Sequence, residues 1–156
     1  MRARRFFIFL AILLLSGLCA CSKPLTVEQQ IIATIRDMEM KIEEGQRLSF
    51  MAHIAENFSG QDGAMNREQV RVMVIFQLNR HQRLHAQLFP IHVSAAGDDK
   101  ATANFRALVT GGPNWIPESG QVFDFVTHWR FVDGDWILQS ANWTPVALDD
   151  ALQEVL

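Results

Sequence analysis

The two thiols of the chain are the side chains whose position suggests a specific chemistry. Cys19 and Cys21 follow an unbroken apolar run at residues 6–15, and three arginines precede that run within residues 2–5. A positive start, a short apolar run and small residues are typical of a secretory signal. The run is about half of the roughly 20 residues that a membrane-spanning helix needs. The segment therefore favours export over a transmembrane helix, and a thiol at its end is a nucleophile available for modification.

The residues LCAC at positions 18–21 resemble the bacterial lipobox, whose last cysteine is acylated. The resemblance implies that residues 1–20 are a signal peptide, that Cys21 is lipidated, and that residues 21–25 form a short tether. Because each buried methylene adds about 0.8 kcal/mol, several acyl chains anchor a protein firmly. Ordinary cleavage nearby, which would leave Cys21 as a free thiol, is the alternative. Since Ser22 rather than Asp follows, sorting rules imply the periplasmic side of a bacterial membrane, the outer more than the inner.

Composition narrows the possible partners. The chain has 156 residues, which suits one domain, and it has no cysteine beyond the first 21 positions. A hydrophobic core rather than disulfides must therefore hold the fold. The formal net charge is −3, and removal of the signal arginines would make the chain more acidic still. No basic block remains, so binding to nucleic acid or to anionic lipid through the protein surface is disfavoured.

The first half of the chain predicts helices and the second half predicts strands. Thr26 and Gln29 have the spacing of a capping box, and an apolar stripe follows to Ile42. A second helix is predicted over residues 48–58. A third opens at Asn66 and continues to about residue 83, with a buried strand as the alternative. From there the apolar period changes to two, which predicts an antiparallel meander and an α+β fold.

The closing residues WRFVDGDWIL at 129–138, after two or three helices and a meander, resemble the nuclear transport factor 2-like superfamily. SnoaL-like polyketide cyclases and ketosteroid isomerases share this cone-shaped fold. The resemblance covers residues 26–146 and leaves residues 147–156 as a C-terminal tail. It implies N-terminal helices packed on a curved antiparallel sheet, with a pocket at one end of the cone.

The same resemblance bears on activity. Enzymes of the superfamily use an Asp, His or Glu inside the cone as a base, often with a Tyr or Asp as oxyanion donor. This chain has no Tyr, and Asn142 stands where relatives often carry His. We therefore expect a periplasmic lipoprotein that binds a small ligand or a protein partner. A cone-fold isomerase, cyclase or hydrolase with an unidentified base is the alternative.

A two-residue turn at Asp133-Gly134 predicts the register of the last hairpin. In that register Phe131 faces Trp136, and three further pairs follow on the same face: Trp129 with Leu138, Thr127 with Ser140, and Phe125 with Asn142. The predicted ligand pocket has Thr127, Ser140 and Asn142 as its polar lining, Phe125 and Trp129 as its apolar wall, and Trp115 as a lid. In the alternative interpretation, the neighbouring backbone satisfies these polar groups, or they approach the open end of the sheet.

The opposite face of that hairpin predicts a second surface. Four apolar residues, Val126, Ile137, Ala141 and Trp143, would form an exposed strip there, which suits a homodimer or another protein partner. Alternatively, the C-terminal tail covers the strip. His81 and His85 are spaced to hold a metal ion, but no third ligand is evident. We therefore expect neither a metal nor a cofactor.

The lipobox interpretation predicts that Cys21→Ser abolishes lipidation, because serine lacks the thiol that carries the thioether. Metabolic labelling with a fatty acid measures this. Cys19→Ser is the matched control and should keep its label, since cleavage before Cys21 discards Cys19. Label retained on the Cys21→Ser protein would contradict the interpretation.

Overall fold

The computed structural model of the chain describes residues 24–81, 84–112 and 119–147, and the statements below concern those residues. Three helices pack against one sheet. The helices are α1 (Val27–Glu43), α2 (Arg47–Ala52) and α3 (Arg67–His81). The strands are β1 (Ile54–Gly60), β2 (Met65–Asn66), β3 (Leu84–Leu88), β4 (His92–Ala95), β5 (Lys100–Gly111), β6 (Ser119–Val132) and β7 (Asp135–Val146). The sheet order is β2-β1-β7-β6-β5-β3, and β4 also pairs with β5. The α+β class is confirmed.

Helix α1 begins and ends where its sequence signals predict. The Thr26 side chain accepts from the Gln29 backbone N–H at 3.2 Å, and the Gln29 side chain accepts from the Thr26 N–H at 3.1 Å. This reciprocal capping satisfies two donors that a helix start leaves unpaired. Ile31, Ile35 and Met38 are buried on one face. That face is what holds α1 against the sheet.

The predicted second helix is shorter than its apolar pattern suggested. Helix α2 ends at Ala52, and Phe58 lies in strand β1 instead. Leu48, which the predicted stripe would have buried, is 87% exposed. β1 runs parallel to β7, so the sheet is mixed rather than wholly antiparallel. Pairing with a long neighbouring strand satisfies the backbone of β1 along the sheet, and this tertiary gain outweighs a weak local preference for helix.

Residues 67–81 are helical, so the buried-strand alternative is wrong for α3. Asn66 and Gln69 cap its start reciprocally, at 2.8 and 3.0 Å. Val70 and Val74 are buried, one helical turn apart, which is the spacing of a helix face packed on the core.

In the part of the chain that is described, no helix is both long and apolar enough to cross a bilayer.

Carboxylates from α1 cover the edge strand β3. Glu43 Oε1 accepts the backbone N–H of Ala86 at 3.0 Å and lies 3.5 Å from His85 Nδ1. Burial, together with the nearby Glu43 carboxylate, raises the pKa of Glu39 on the same helix. An edge strand exposes unpaired backbone groups that could pair with another chain. A helix that covers the strand and accepts hydrogen bonds from its N–H groups prevents such pairing.

The core lies between α1 and the inner face of β5, β6 and β7. Trp129 and Trp136 are 3% and 4% exposed, so both indoles belong to the packed core. The Trp136 indole N–H donates to Gln30 Oε1 of α1 at 2.8 Å. Ala101, which is opposite Trp129, and Ala103, which is opposite Thr127, are also buried. Alanines on the sheet leave room for the two indoles and for the helix above them.

Trp129→Ala should lower the free energy of unfolding by about 3–5 kcal/mol, because it leaves a large cavity in a close-packed core. The denaturant midpoint measures this. Val132→Ala is the control on the same strand, since Val132 is 41% exposed and should change the midpoint little. Equal midpoints for Trp129→Ala and the wild type would contradict the packing described.

Candidate functional site

The last hairpin keeps the predicted register only near its turn. Asp133 and Gly134 have φ values of 52° and 97°, as a two-residue turn of this kind requires. Trp129 pairs with Leu138 as predicted, but His128 pairs with Ser140. Gln139 is therefore an extra residue in β7, a β-bulge that shifts the register of the rest of the strand.

The bulge divides the predicted pocket between the two faces of the sheet. Thr127 pairs with Ala141, and Phe125 pairs with Trp143. Ser140 and Asn142 consequently lie on the outer face, away from the helices. The prediction that Thr127, Ser140 and Asn142 line one cavity is wrong, because a one-residue slip moves every later side chain to the opposite face.

Thr127 lies inside the cone, as predicted, but its hydroxyl is fully occupied. It is 3% exposed. The Trp129 indole N–H donates to Thr127 Oγ1 at 2.9 Å, and the hydroxyl donates to the Ala103 carbonyl at 2.9 Å. A buried polar group in a core is stable only when it is paired in this way. Thr127 thus ties β5 to β6 and positions an indole, which agrees with the alternative interpretation of this residue.

Asn142 has a structural partner on the outer face. Its side-chain N–H donates to Asp62 Oδ1 at 2.7 Å, and its Oδ1 accepts the Asp62 backbone N–H at 3.0 Å. The neighbouring Gln61 side chain pairs with the Trp143 backbone in both directions, at 2.9 and 3.2 Å. Gln61 and Asp62 have φ values of 49° and 54°, in the left-handed region. These four hydrogen bonds hold an otherwise unfavourable turn against β7.

Aromatic side chains occupy the inner face beyond the bulge. We call Phe105, Phe123, Phe125 and Trp143 the aromatic wall. Phe105 and Phe125 stack with ring centroids 5.1 Å apart, and Phe125 lies 6.3 Å from Trp143. All four are only half-buried. The aromatic wall therefore presents an apolar surface that the core leaves partly uncovered, on three adjacent strands.

The His81 ring, at the end of α3, lies against the end of β5. The His81 ring packs on Gly111 so closely that a Cβ at position 111 would lie 2.6 Å from His81 Cγ. Only glycine leaves space for the imidazole there. Trp115, the predicted lid, and Cys21 lie outside the described residues.

The outer face carries both polar and apolar side chains. Val126 is 41% exposed, and Leu108 and Val122 lie on the same face, but Ala141 and Trp143 face inward, so the predicted strip of Val126, Ile137, Ala141 and Trp143 does not form. The cause is again the bulge. Dimerisation itself stays a prediction.

An ion pair lies on the outer face of the sheet. The Arg106 guanidinium donates to both oxygens of Asp124, at 2.7 and 3.1 Å, and holds the pKa of that carboxyl below its usual value. The pair therefore adds stability above the unfolded pKa of an aspartate and loses it as the pH falls. His128 Nδ1 is 3.0 Å from Thr102 Oγ1 rather than near Asp124.

Within the described residues, no group of His, Cys, Asp and Glu side chains could hold a metal ion.

Sequence reasoning missed three members of the aromatic wall: Phe105, Phe123 and Trp143. The alternation of Phe123 and Phe125 with polar neighbours was a usable signal for the first half of β6. Nothing in the composition of β7 marks a bulge at Gln139, so the inward direction of Trp143 could not be derived from its sequence.

Comparison with known proteins agrees with the geometry at the level of the fold. No protein-family model and no curated protein matches the chain. A candidate scytalone dehydratase from Novosphingobium aromaticivorans superposes with a TM-score of 0.66 at 11% identity, covering 77% of this chain and 84% of that one. A nuclear transport factor 2-like protein with a cystatin-like fold from the same organism gives 0.64 at 17% identity, covering 83% and 88%.

A third similar structure is longer. Bd1075 of Bdellovibrio bacteriovorus gives a TM-score of 0.67 at 8% identity over 77% of this chain, which spans only 41% of that one. The chain thus has the nuclear transport factor 2-like cone fold, as its closing hairpin predicted.

Asn142→Ala should lower the free energy of unfolding by about 1 kcal/mol, because it removes the reciprocal hydrogen bonds to Asp62. Chemical denaturation measures the loss. Asn104→Ala is the matched control, since Asn104 lies exposed on the same outer face, across Val126 from Asn142. If both variants were equally stable, Asn142 would have no structural role.

Proposed function

We propose that the chain is a binding module that holds a small apolar molecule against the aromatic wall. The observation that carries this is the half-buried state of four aromatic side chains on the concave face of the sheet. Aromatic rings bury a large area and prefer partners that stack or meet their edges. A surface of this kind, next to a packed core, is the usual lining of a small-ligand site.

The chemistry of the inner face supports binding over acid–base catalysis. At the described inward-facing positions of β5, β6 and β7 there is no Asp, Glu or His, judged from the strand register. The one buried polar side chain there, Thr127, already uses its hydroxyl twice. General acid–base catalysis needs a titratable group within hydrogen-bond reach of the reacting proton. The apolar face favours a ligand held by shape and contact.

A catalytic role is the second proposal, and the fold of its structural neighbours motivates it. One neighbour is described as a candidate scytalone dehydratase. The His53 side chain of this chain hydrogen-bonds Asp37 through Nε2 at 2.9 Å, the arrangement of a positioned base. The pair joins α1 to the end of α2, away from the aromatic wall, so we favour binding.

We also propose that the module is held at the periplasmic side of a bacterial membrane, preferably the outer membrane, by lipid on Cys21. The start of α1 lies beside the closing hairpin, because Leu25, Thr26 and Phe131 line one cleft. Leu25 and Phe131 are 56% and 40% exposed. A tether of five residues would keep this end of the cone close to the bilayer.

Binding at the aromatic wall is tested with N-phenylnaphthylamine, a neutral apolar dye whose fluorescence rises in apolar surroundings. The full chain, in micelles of a non-fluorescent detergent, should raise the emission above the micelle background. Phe125→Ala should weaken binding by about tenfold, because it removes the central ring of the wall. Val126→Ala is the matched control, adjacent on the same strand but facing outward.

Trp143→Phe is a second variant in case Phe125→Ala fails to fold, and circular dichroism checks the fold of each. Native mass spectrometry of the purified chain identifies any molecule that copurifies. Equal dye binding by Phe125→Ala, Val126→Ala and the wild type would refute a site at the aromatic wall. Chemical conversion of a copurified molecule, lost in His53→Gln, would favour the catalytic proposal instead.

A further inference from the structure

Two cations lie directly opposite each other on the outer face of the sheet. Lys100 of β5 pairs in register with Arg130 of β6. Like charges at opposed positions destabilise a strand pair. Neither side chain forms an ion pair with any carboxylate among the described residues, although the chain has 17 acidic and 14 basic residues. Among the described residues, these two cations therefore have no carboxylate in direct contact.

The pair lines a cleft with further hydrogen-bond donors. The cleft has a volume of about 350 Å³, and Thr102, His128 and Gln139 also line it. No carboxylate is among its lining residues. Arginine presents a planar fork of N–H donors that matches an oxyanion, and lysine adds a compact charge. His128 is fixed by its Nδ1 contact with Thr102 at 3.0 Å.

A glutamine of β7 also lines this cleft. Leu138 faces the core opposite Trp129, and strand alternation turns the next side chain, Gln139, outward beside Arg130 and His128. The bulge turns Ser140 outward as well, opposite His128. The Gln139 amide therefore adds a neutral hydrogen-bond donor next to the two cations.

We propose that this cleft binds a phosphate group. The two formal positive charges of Lys100 and Arg130 match the charge of about −1.5 to −2 on a phosphate monoester near neutral pH. A phosphate bound there would offset the repulsion within the pair and accept hydrogen bonds from Arg130 and Gln139. The phosphate belongs either to a soluble molecule or to a lipid headgroup. The cleft lies on the opposite face from the aromatic wall, and the inference does not depend on the proposed function.

Isothermal titration calorimetry on the full chain in neutral detergent micelles tests this. Three titrants at matched ionic strength separate the sources: inorganic phosphate, glycerol 3-phosphate, and phosphatidic acid, a lipid phosphate monoester, in the same micelles. Binding of either of the first two assigns the site to soluble phosphates. Binding of phosphatidic acid alone assigns it to a lipid headgroup. Absence of binding by all three overturns the proposal.

Variants locate the site. Arg130→Gln and Lys100→Gln should each weaken binding by about tenfold or more, the factor for one hydrogen bond to a charged partner. Arg47→Gln, an exposed arginine at the start of α2, is the control and should bind as the wild type does. An equal loss in all three variants would show general charge attraction and refute a site in this cleft.

Thermal unfolding provides a readout independent of affinity. Without phosphate, Lys100→Gln should be at least as stable as the wild type at low salt, because the repulsion with Arg130 is gone. Phosphate should raise the midpoint of the wild type more than that of Lys100→Gln at every phosphate concentration. A wild-type midpoint that does not rise with saturating phosphate would contradict the proposal.

Discussion

The β-bulge at Gln139 decides which chemistry each face of the sheet carries. Side chains alternate between the two faces of a strand, so one inserted residue reverses the direction of everything that follows it. With the bulge, Ala141 and Trp143 face the helices while Ser140 and Asn142 face outward. Without it, an asparagine would enter an apolar interior and a tryptophan would be left outside. Burial of the indole and exposure of the amide favour the bulged register.

Neighbouring strands and turns adapt to that inserted residue. The pairing of β1 with β7 is also irregular, since its register changes between Leu138 and Ser140. Just after Ser140, side-chain hydrogen bonds join β7 to the turn that follows β1. Gln61 pairs with the Trp143 backbone, and Asn142 pairs with Asp62. One of the polar residues predicted to line a pocket, Asn142, therefore joins the sheet to the turn after β1. Their hydrogen bonds stabilise the register that the bulge creates.

The two faces of the sheet consequently present different surfaces. The inner face runs from a close-packed core around Trp129 and Trp136 to the half-buried aromatic wall. Its polar hydroxyl, Thr127, is paired within the sheet. The outer face carries the Arg106–Asp124 ion pair and the opposed cations Lys100 and Arg130. A small α+β domain thereby presents an aromatic surface on one face of a single sheet and a set of charged side chains on the other.

Local signals in the sequence determined the elements whose stability is local. The capping boxes at Thr26 and Asn66 fixed two helix starts, and Asp133-Gly134 fixed the turn and the first pairs of the hairpin. The change of apolar period predicted the α+β class, and the resemblance of the element order and closing hairpin to the nuclear transport factor 2-like superfamily implied the cone fold. Tertiary structure alone decided that residues 54–60 form a strand parallel to β7, and that Gln139 bulges. Both depend on the free energy of pairing and burial across distant segments. That free energy outweighs the local conformational preference of these residues. Their sequence carries no periodic pattern that would reveal the strand pairing or the bulge.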